Sequence, residues 1–161
     1  MSIPQSGGGP IEHHGQLAEY LSDGCKPKAD WRIGTEHEKF GYCDVSLKPL
    51  PFEGDRSIEA VLGALRDRHN WAEVCEGGKL TGLEKNGANV SLEPGGALEL
   101  SGAPLETIHE TCDEVNQHLR EVIDIASEMG VGFIGLGAAP TWSHVEMPLM
   151  PKGRYKLMDA Y

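Results

Sequence analysis

KLTGLEKNGANVSLEPGGALELS, residues Lys79 to Ser101, reads as three short strands joined by two tight turns. Lys79 to Glu84 and Ala88 to Glu93 flank Lys85, Asn86 and Gly87, and Asn-Gly accepts the positive φ of a hairpin turn at low cost. A second turn at Pro94, Gly95 and Gly96 leads into Ala97 to Ser101, so the segment predicts an antiparallel meander. Side chains alternate across a strand, which puts Leu92, Leu98 and Leu100 on one face and Glu93 and Glu99 on the other. One face is greasy and the other acidic.

Upstream, RIGTEHEKFGY (Arg32 to Tyr42) lies in a stretch, Trp31 to Val45, that also reads as extended. Glu36 and Glu38 then point the same way, with roughly 7 Å between successive same-face positions. At an effective dielectric of about 20 their repulsion is about 2 kcal/mol, so a fold that turns them inward needs a cation. His37 falls on the opposite face. Glu36, Glu38, Glu93 and Glu99 form the candidate constellation, and four carboxylates suit a divalent metal better than a two-carboxylate glycosidase site. A sheet with one solvated side remains open as the alternative. Against it stands the absence of Lys and Arg among these residues, since ordinary wet faces mix charge signs.

Helical patterns surround the strands. Ile11 to Asp23 shows Ile11, Leu17, Tyr20 and Leu21 as apolar positions, and Ser57 to His69 shows Ile58, Val61, Leu62 and Leu65. The longest helix is predicted over Pro104 to Met129, about 39 Å in length, closed by Gly130. Leu105, Ile108, Cys112, Val115, Leu119, Val122, Ala126 and Met129 recur at steps of three and four, as in a core helix laid across a sheet, with Cys112 a buried small hydrophobe. Val131 to Ala138 is predicted as a glycine-rich strand and Arg154 to Tyr161 as a helix that ends without a stop signal, as expected of part of a longer chain. The fold class is α+β, a mostly antiparallel sheet with helices packed on one side. Residues 1–10, rich in Gly, Ser and Pro, read as a flexible start, and 11–161 as one unit.

The 161 residues are 39% hydrophobic and carry a formal charge of −11, which argues against nucleic acid or an anionic membrane as partner. No run approaches the ~18 apolar residues of a membrane span, and the chain reads as cytoplasmic. Cys25, Cys43, Cys75 and Cys112 are scattered without metal-site spacing and read as reduced thiols. Gly130, Gly132 and Gly135 match GxGxxG, but they follow a helix and open a strand, the reverse of a dinucleotide fingerprint. No Walker loop occurs, and the seven histidines form no HExxH arrangement.

GTEHEKFGY, SLEPGGALELSGAPLETIHETCDEVN and MPKGRY, in that order, closely resemble the glutamate-cysteine ligases of plants and proteobacteria, over about Gly24 to Tyr161. The resemblance implies the N-terminal portion of a catalytic domain with a glutamine synthetase-like fold, a curved sheet that is incomplete here. It implies ATP-dependent joining of the glutamate γ-carboxylate to the cysteine amine through a γ-glutamyl phosphate, the first step of glutathione synthesis, with Mg2+ as cofactor. Glutamate, cysteine and ATP are the implied partners, and a homodimer is left open. Carried onto this chain, Glu36, Glu38, Glu93 and Glu99 become metal ligands, Glu36, Glu38 and Arg154 catalytic groups, and Arg154 and Lys152 substrate contacts. Where family members often have Gln and then an aromatic or leucine after the Pro-Gly-Gly turn, this chain has Ala97 and Leu98. Cys112 resembles a redox-linked family position and is left reduced here. The fragment alone is expected to be inactive or nearly so. The rivals are a related ligase with another acceptor amine and a noncatalytic cation-binding module.

Overall fold

A computed structural model describes residues 9–161, so most of the flexible start expected over 1–10 lies outside the described residues. In chain order the elements are α1 (His14–Asp23), β1 (Glu36–Cys43), α2 (Ile58–His69), β2 (Ala72–Glu76), β3 (Lys79–Lys85), β4 (Ala88–Glu93), β5 (Ala97–Ser101), α3 (Ile108–Met129), β6 (Val131–Ile134) and α4 (Gly153–Asp159). The strands lie in the order β2-β3-β4-β5-β1-β6, and every neighbouring pair is antiparallel. The α+β expectation holds: an open antiparallel sheet is backed by α2 and α3. None of the described helices is long and apolar enough to cross a membrane.

Local chemistry sets the meander. Asn86 (φ 53°) and Gly87 (φ 85°) both take positive φ between β3 and β4, as a two-residue hairpin turn requires. At the next turn Gly95 (φ 76°) and Gly96 (φ 79°) do the same, and a Cβ on Gly95 would collide with the Met147 side chain. The Pro-Gly-Gly turn thus lets the 147–150 segment fold against the end of the sheet. On the covered face Leu92 sits opposite Leu98 and Val90 opposite Leu100, all fully buried against Val61, Leu62 and Leu65 of α2 and Val122 and Ile125 of α3. Each such side chain contributes about 2 kcal/mol of burial. Helix α2 starts at Ser57, whose hydroxyl accepts the Ala60 N–H at 3.1 Å, and stops where Asn70 turns left-handed (φ 57°).

Several boundaries differ from expectation. Helix α3 starts at Ile108 rather than Pro104, because Ile33 and Leu105 exchange backbone hydrogen bonds of 2.8 and 2.9 Å that hold residues 104–106 extended. Thr107 then caps the helix: its hydroxyl accepts the Glu110 N–H at 3.2 Å, and the Glu110 carboxylate accepts the Thr107 N–H at 2.9 Å. The buried side of α3 runs through Thr111, His118, Glu121, Val122, Ile125 and Ala126, so Cys112 is exposed and its reading as a buried hydrophobe is corrected. Helix α1 begins at His14 and buries nothing; Ile11, Leu17, Tyr20 and Leu21 all face solvent. Strand β6 ends at Ile134, where pairing with Phe40 of β1 runs out, rather than at Ala138. Strand β2 was not expected: AEVCE carries two glutamates and gains its strand form from pairing with β3.

Candidate functional site

The acidic residues occupy the sheet face opposite the core. Glu38 of β1 is the cross-strand partner of Glu99 of β5, Glu36 faces Ser101, and Ser91 of β4 faces Glu99 from the other side. Directly opposed carboxylates repel each other. The environment of Glu38 records this: partial burial, followed by the charges of Glu99, Glu93 and Glu36, pushes its carboxyl above the ordinary range. Glu99 is 4% exposed, and its oxygens accept from Ser101 Oγ at 3.1 Å and Ser91 Oγ at 3.4 Å. Both serines share the parity of the glutamates, so alternation marks them as face residues, although nothing in the sequence marks them as partners of Glu99.

Helix α4 brings in the cations. Arg154 Nη2 donates to Glu93 Oε1 at 3.0 Å and Oε2 at 3.3 Å, and to the Tyr155 hydroxyl at 2.8 Å. The single Tyr155 proton has two acceptors within reach, Leu92 O at 2.8 Å and Glu93 Oε2 at 3.1 Å. Burial, with the Arg154 hydrogen bond opposing it and the Glu93 charge adding to it, pushes this phenol up to about 12. Lys152 is 3% exposed, donates from Nζ to Leu92 O at 2.8 Å, and is lowered from the usual lysine range chiefly by burial and then by Arg154. The face therefore is not purely anionic: a guanidinium 61 positions downstream of Glu93 lies on it. Tyr155, missed in the sequence, carries no signal there beyond its neighbour.

The four expected metal ligands are thus divided. Glu36, Glu38 and Glu99 share one patch, whereas Glu93 is engaged by Arg154 and Tyr155. Among the described residues no group of three or more His, Cys, Asp or Glu side chains is gathered as a ready metal cage. The donor chemistry still fits a hard divalent cation, because Glu38 and Glu99 offer carboxylate oxygens in opposition.

On the covered side, directly behind these acids, His37 falls as alternation requires, and Lys39 is buried. Burial lowers Lys39 to about 8, with Glu99 opposing. Lys39 was not singled out in the sequence, where a lysine in a strand is ordinarily solvated.

An antiparallel sheet backed by helices on one side, with a carboxylate face on the other, defines an α+β protein. The sequence profile of glutamate-cysteine ligase family 2 (GCS2) matches residues 32–161, and the chain belongs to that family. It is 51% identical over 145 residues to the chloroplastic glutamate-cysteine ligase of Medicago truncatula, covering 90% of this chain and 28% of that protein. It is likewise 50% identical to the chloroplastic enzyme of Arabidopsis thaliana, covering 90% of this chain and 27% of that protein, and 49% identical to chloroplastic glutamate-cysteine ligase A of Oryza sativa subsp. japonica, covering 90% and 29%. The chain spans less than a third of the length of these relatives. Their naming as chloroplastic overturns the cytoplasmic expectation. Composition and the lack of a long apolar run distinguish a membrane from water; they do not distinguish one aqueous compartment from another.

Proposed function

We propose that the chain forms the glutamate-activating part of an ATP-dependent glutamate-cysteine ligase, with the open face of the sheet as the reaction side. The observation that carries this reading is the Glu38–Glu99 rung, two opposed carboxylates with Glu38 raised by burial and then by the charges of Glu99, Glu93 and Glu36, in a family whose named members are glutamate-cysteine ligases. In the proposed reaction the γ-carboxylate of glutamate attacks the terminal phosphorus of ATP, ADP departs, and the cysteine amine displaces phosphate from the acyl phosphate. Carboxylate and triphosphate repel each other, so the approach needs positive charge. Magnesium, when bound, supplies that charge by neutralising phosphate oxygens.

This chain's own residues divide the work. Glu36, Glu38 and Glu99 would hold the cation through hard oxygens, and Ser91 and Ser101 orient the Glu99 carboxylate. Arg154, held on Glu93, offers a planar fork suited to a carboxylate or phosphate. Tyr155 supports the guanidinium, whose carbon lies 4.8 Å from the ring centroid. Lys152 adds positive potential from beneath.

The test is cysteine-dependent ADP release with glutamate and magnesium, in a protein of the relatives' full length that carries this segment. Turnover requiring all three is expected. Turnover with other amines but not with cysteine would move the chain to a different acceptor class, and cation binding without any glutamate binding would reduce it to a cation module. The segment alone is expected to bind but to turn over little, because it supplies less than a third of the relatives' length.

A further inference from the structure

A cavity of about 340 Å³ lies on the covered side of the sheet, between α3 and the turn that joins β3 to β4. Its α3 wall is acidic, lined by Glu110, Asp113, Glu114 and Glu121. Leu100 of β5, Ala103, Leu105 and the Trp71 ring supply apolar walls. Lys85 stands at the same cavity, but its ammonium is engaged: Nζ donates to His69 O at 2.9 Å and lies 3.5 Å from Glu121 Oε1 and 5.3 Å from the Trp71 ring centroid. Among the described residues, four carboxylates thus meet one lysine there.

Two side chains in this wall are incompletely paired. His118 lines the cavity and is 3% exposed, and neither Nδ1 nor Nε2 has a hydrogen-bond partner among the described residues. One turn earlier on α3, Glu114 accepts the Ala103 N–H at 2.9 Å through Oε1, while its buried Oε2 has no such partner. Each buried polar atom left in that state costs about 1–3 kcal/mol. The neighbouring donor does not relieve His118: the Trp71 ring meets it edge-on at 6.4 Å and gives its N–H to Glu121 Oε2 at 3.1 Å instead. An imidazole nitrogen and a carboxylate oxygen both accept from N–H groups, and an ammonium carries three donors. Side chains four positions apart on a helix are neighbours, roughly 6 Å between Cβ atoms, so one ammonium can serve both.

We propose that this cavity binds a small organic cation, a primary ammonium on an apolar body. The ammonium donates to Glu114 Oε2 and to a His118 nitrogen, the charges of Asp113 and Glu121 hold it, and the body packs on Leu100, Leu105 and Trp71. Four carboxylates disfavour an anion, and a bare metal ion would leave the apolar walls unused. The volume falls at the lower end of the roughly 300–1,000 Å³ of small-molecule sites. Because the cavity lies across the sheet from the Glu38–Glu99 rung, the inference is independent of the open-face reading.

The test is calorimetric titration of phenethylamine into the full chain at pH 7, alongside phenethyl alcohol and hydrocinnamate as neutral and anionic molecules of similar shape. The amine is expected to bind, the alcohol to bind at least about tenfold more weakly, and the acid not at all. Glu114→Gln, which keeps an acceptor for the Ala103 N–H, should weaken the amine about tenfold. Asp113→Asn, at an exposed side chain, should weaken it about threefold and keeps the test valid if Glu114→Gln fails to fold. Ala103→Leu should abolish binding by filling the cavity, with circular dichroism checking that each variant is folded. The His118 ring signals in a nitrogen-edited NMR spectrum, assigned by their loss in His118→Leu, should move when the amine is added. Equal affinity for amine and alcohol overturns the inference, as does amine affinity unchanged in the folded cavity variants. Binding that survives those variants and is lost in Glu38→Gln places the amine on the open face and also overturns it. No binding of the amine by the parent means that the cavity takes water alone, and the inference falls.

Discussion

The two sides of the sheet are built by the same strands and meet opposite demands. On the covered side Leu92, Leu98, Val90 and Leu100 pair across β4 and β5 and vanish into the core. On the open side, one residue out of phase, Glu38 and Glu99 oppose each other, and the nearest relief comes from serine hydroxyls and from α4. The covered side is satisfied mainly by packing, with Lys39, His37, His118 and Glu121 as its polar members; the open side is left with net negative charge. Like charges in register on one face repel each other, so the open side is the less stable half of the sheet by itself.

The comparison breaks most visibly if the open-face acids turn out to be dispensable. Glu38→Gln or Glu99→Gln in a full-length enzyme is expected to lower ligase turnover about a thousandfold, ~4 kcal/mol of transition-state stabilisation, measured as ADP release. Metal-free stability should hold or rise slightly, because a repulsive pair is removed. Leu98→Ala, the neighbour of Glu99 on the covered side, is expected to do the reverse: about 3 kcal/mol lost in denaturant unfolding.

A smaller effect comes from pH. His118 is held at about 3 in the folded protein, mainly by burial and then by Lys39 and His37. In the unfolded chain it titrates near its ordinary value of about 6.5. The unfolded state therefore takes the proton first, so the stability contribution is fully present above about pH 6.5 and falls as pH drops toward 3. His118→Leu is expected to flatten this slope and, by removing two unpartnered ring nitrogens, to stabilise the fold by about 1–2 kcal/mol at neutral pH. A slope unchanged in chemical denaturation at pH 4, 5 and 6 would mean that His118 is not buried neutral. Smallest is Thr107→Ala, which opens the α3 capping box at a cost of about 1 kcal/mol, read as a lower unfolding temperature with the open face untouched.

How much of this was legible in the sequence follows from where each interaction is encoded. The turns at Asn86-Gly87 and Pro94-Gly96, the parity of Leu92, Leu98, Glu93 and Glu99, and the shared direction of Glu36 and Glu38 are local, and all were readable. The start of α3 was misplaced because Ile33, more than seventy positions upstream, holds Leu105 extended. The exposure of Cys112 follows from which side of α3 meets the sheet, and a stripe of mixed apolar residues does not fix that to within one position. The engagement of Glu93 by Arg154 is likewise tertiary, and so is the burial of Lys39, which sequence alone would place in water.

The most direct test of the central claim, that the open face takes a divalent cation for glutamate activation, is a calorimetric titration of magnesium and glutamate into the chain, separately and together, alongside Glu38→Gln and Glu99→Gln. The account predicts that magnesium binds, that it tightens glutamate binding, and that either substitution abolishes both effects while the fold persists. Magnesium and glutamate binding that is unchanged in the two variants would contradict it.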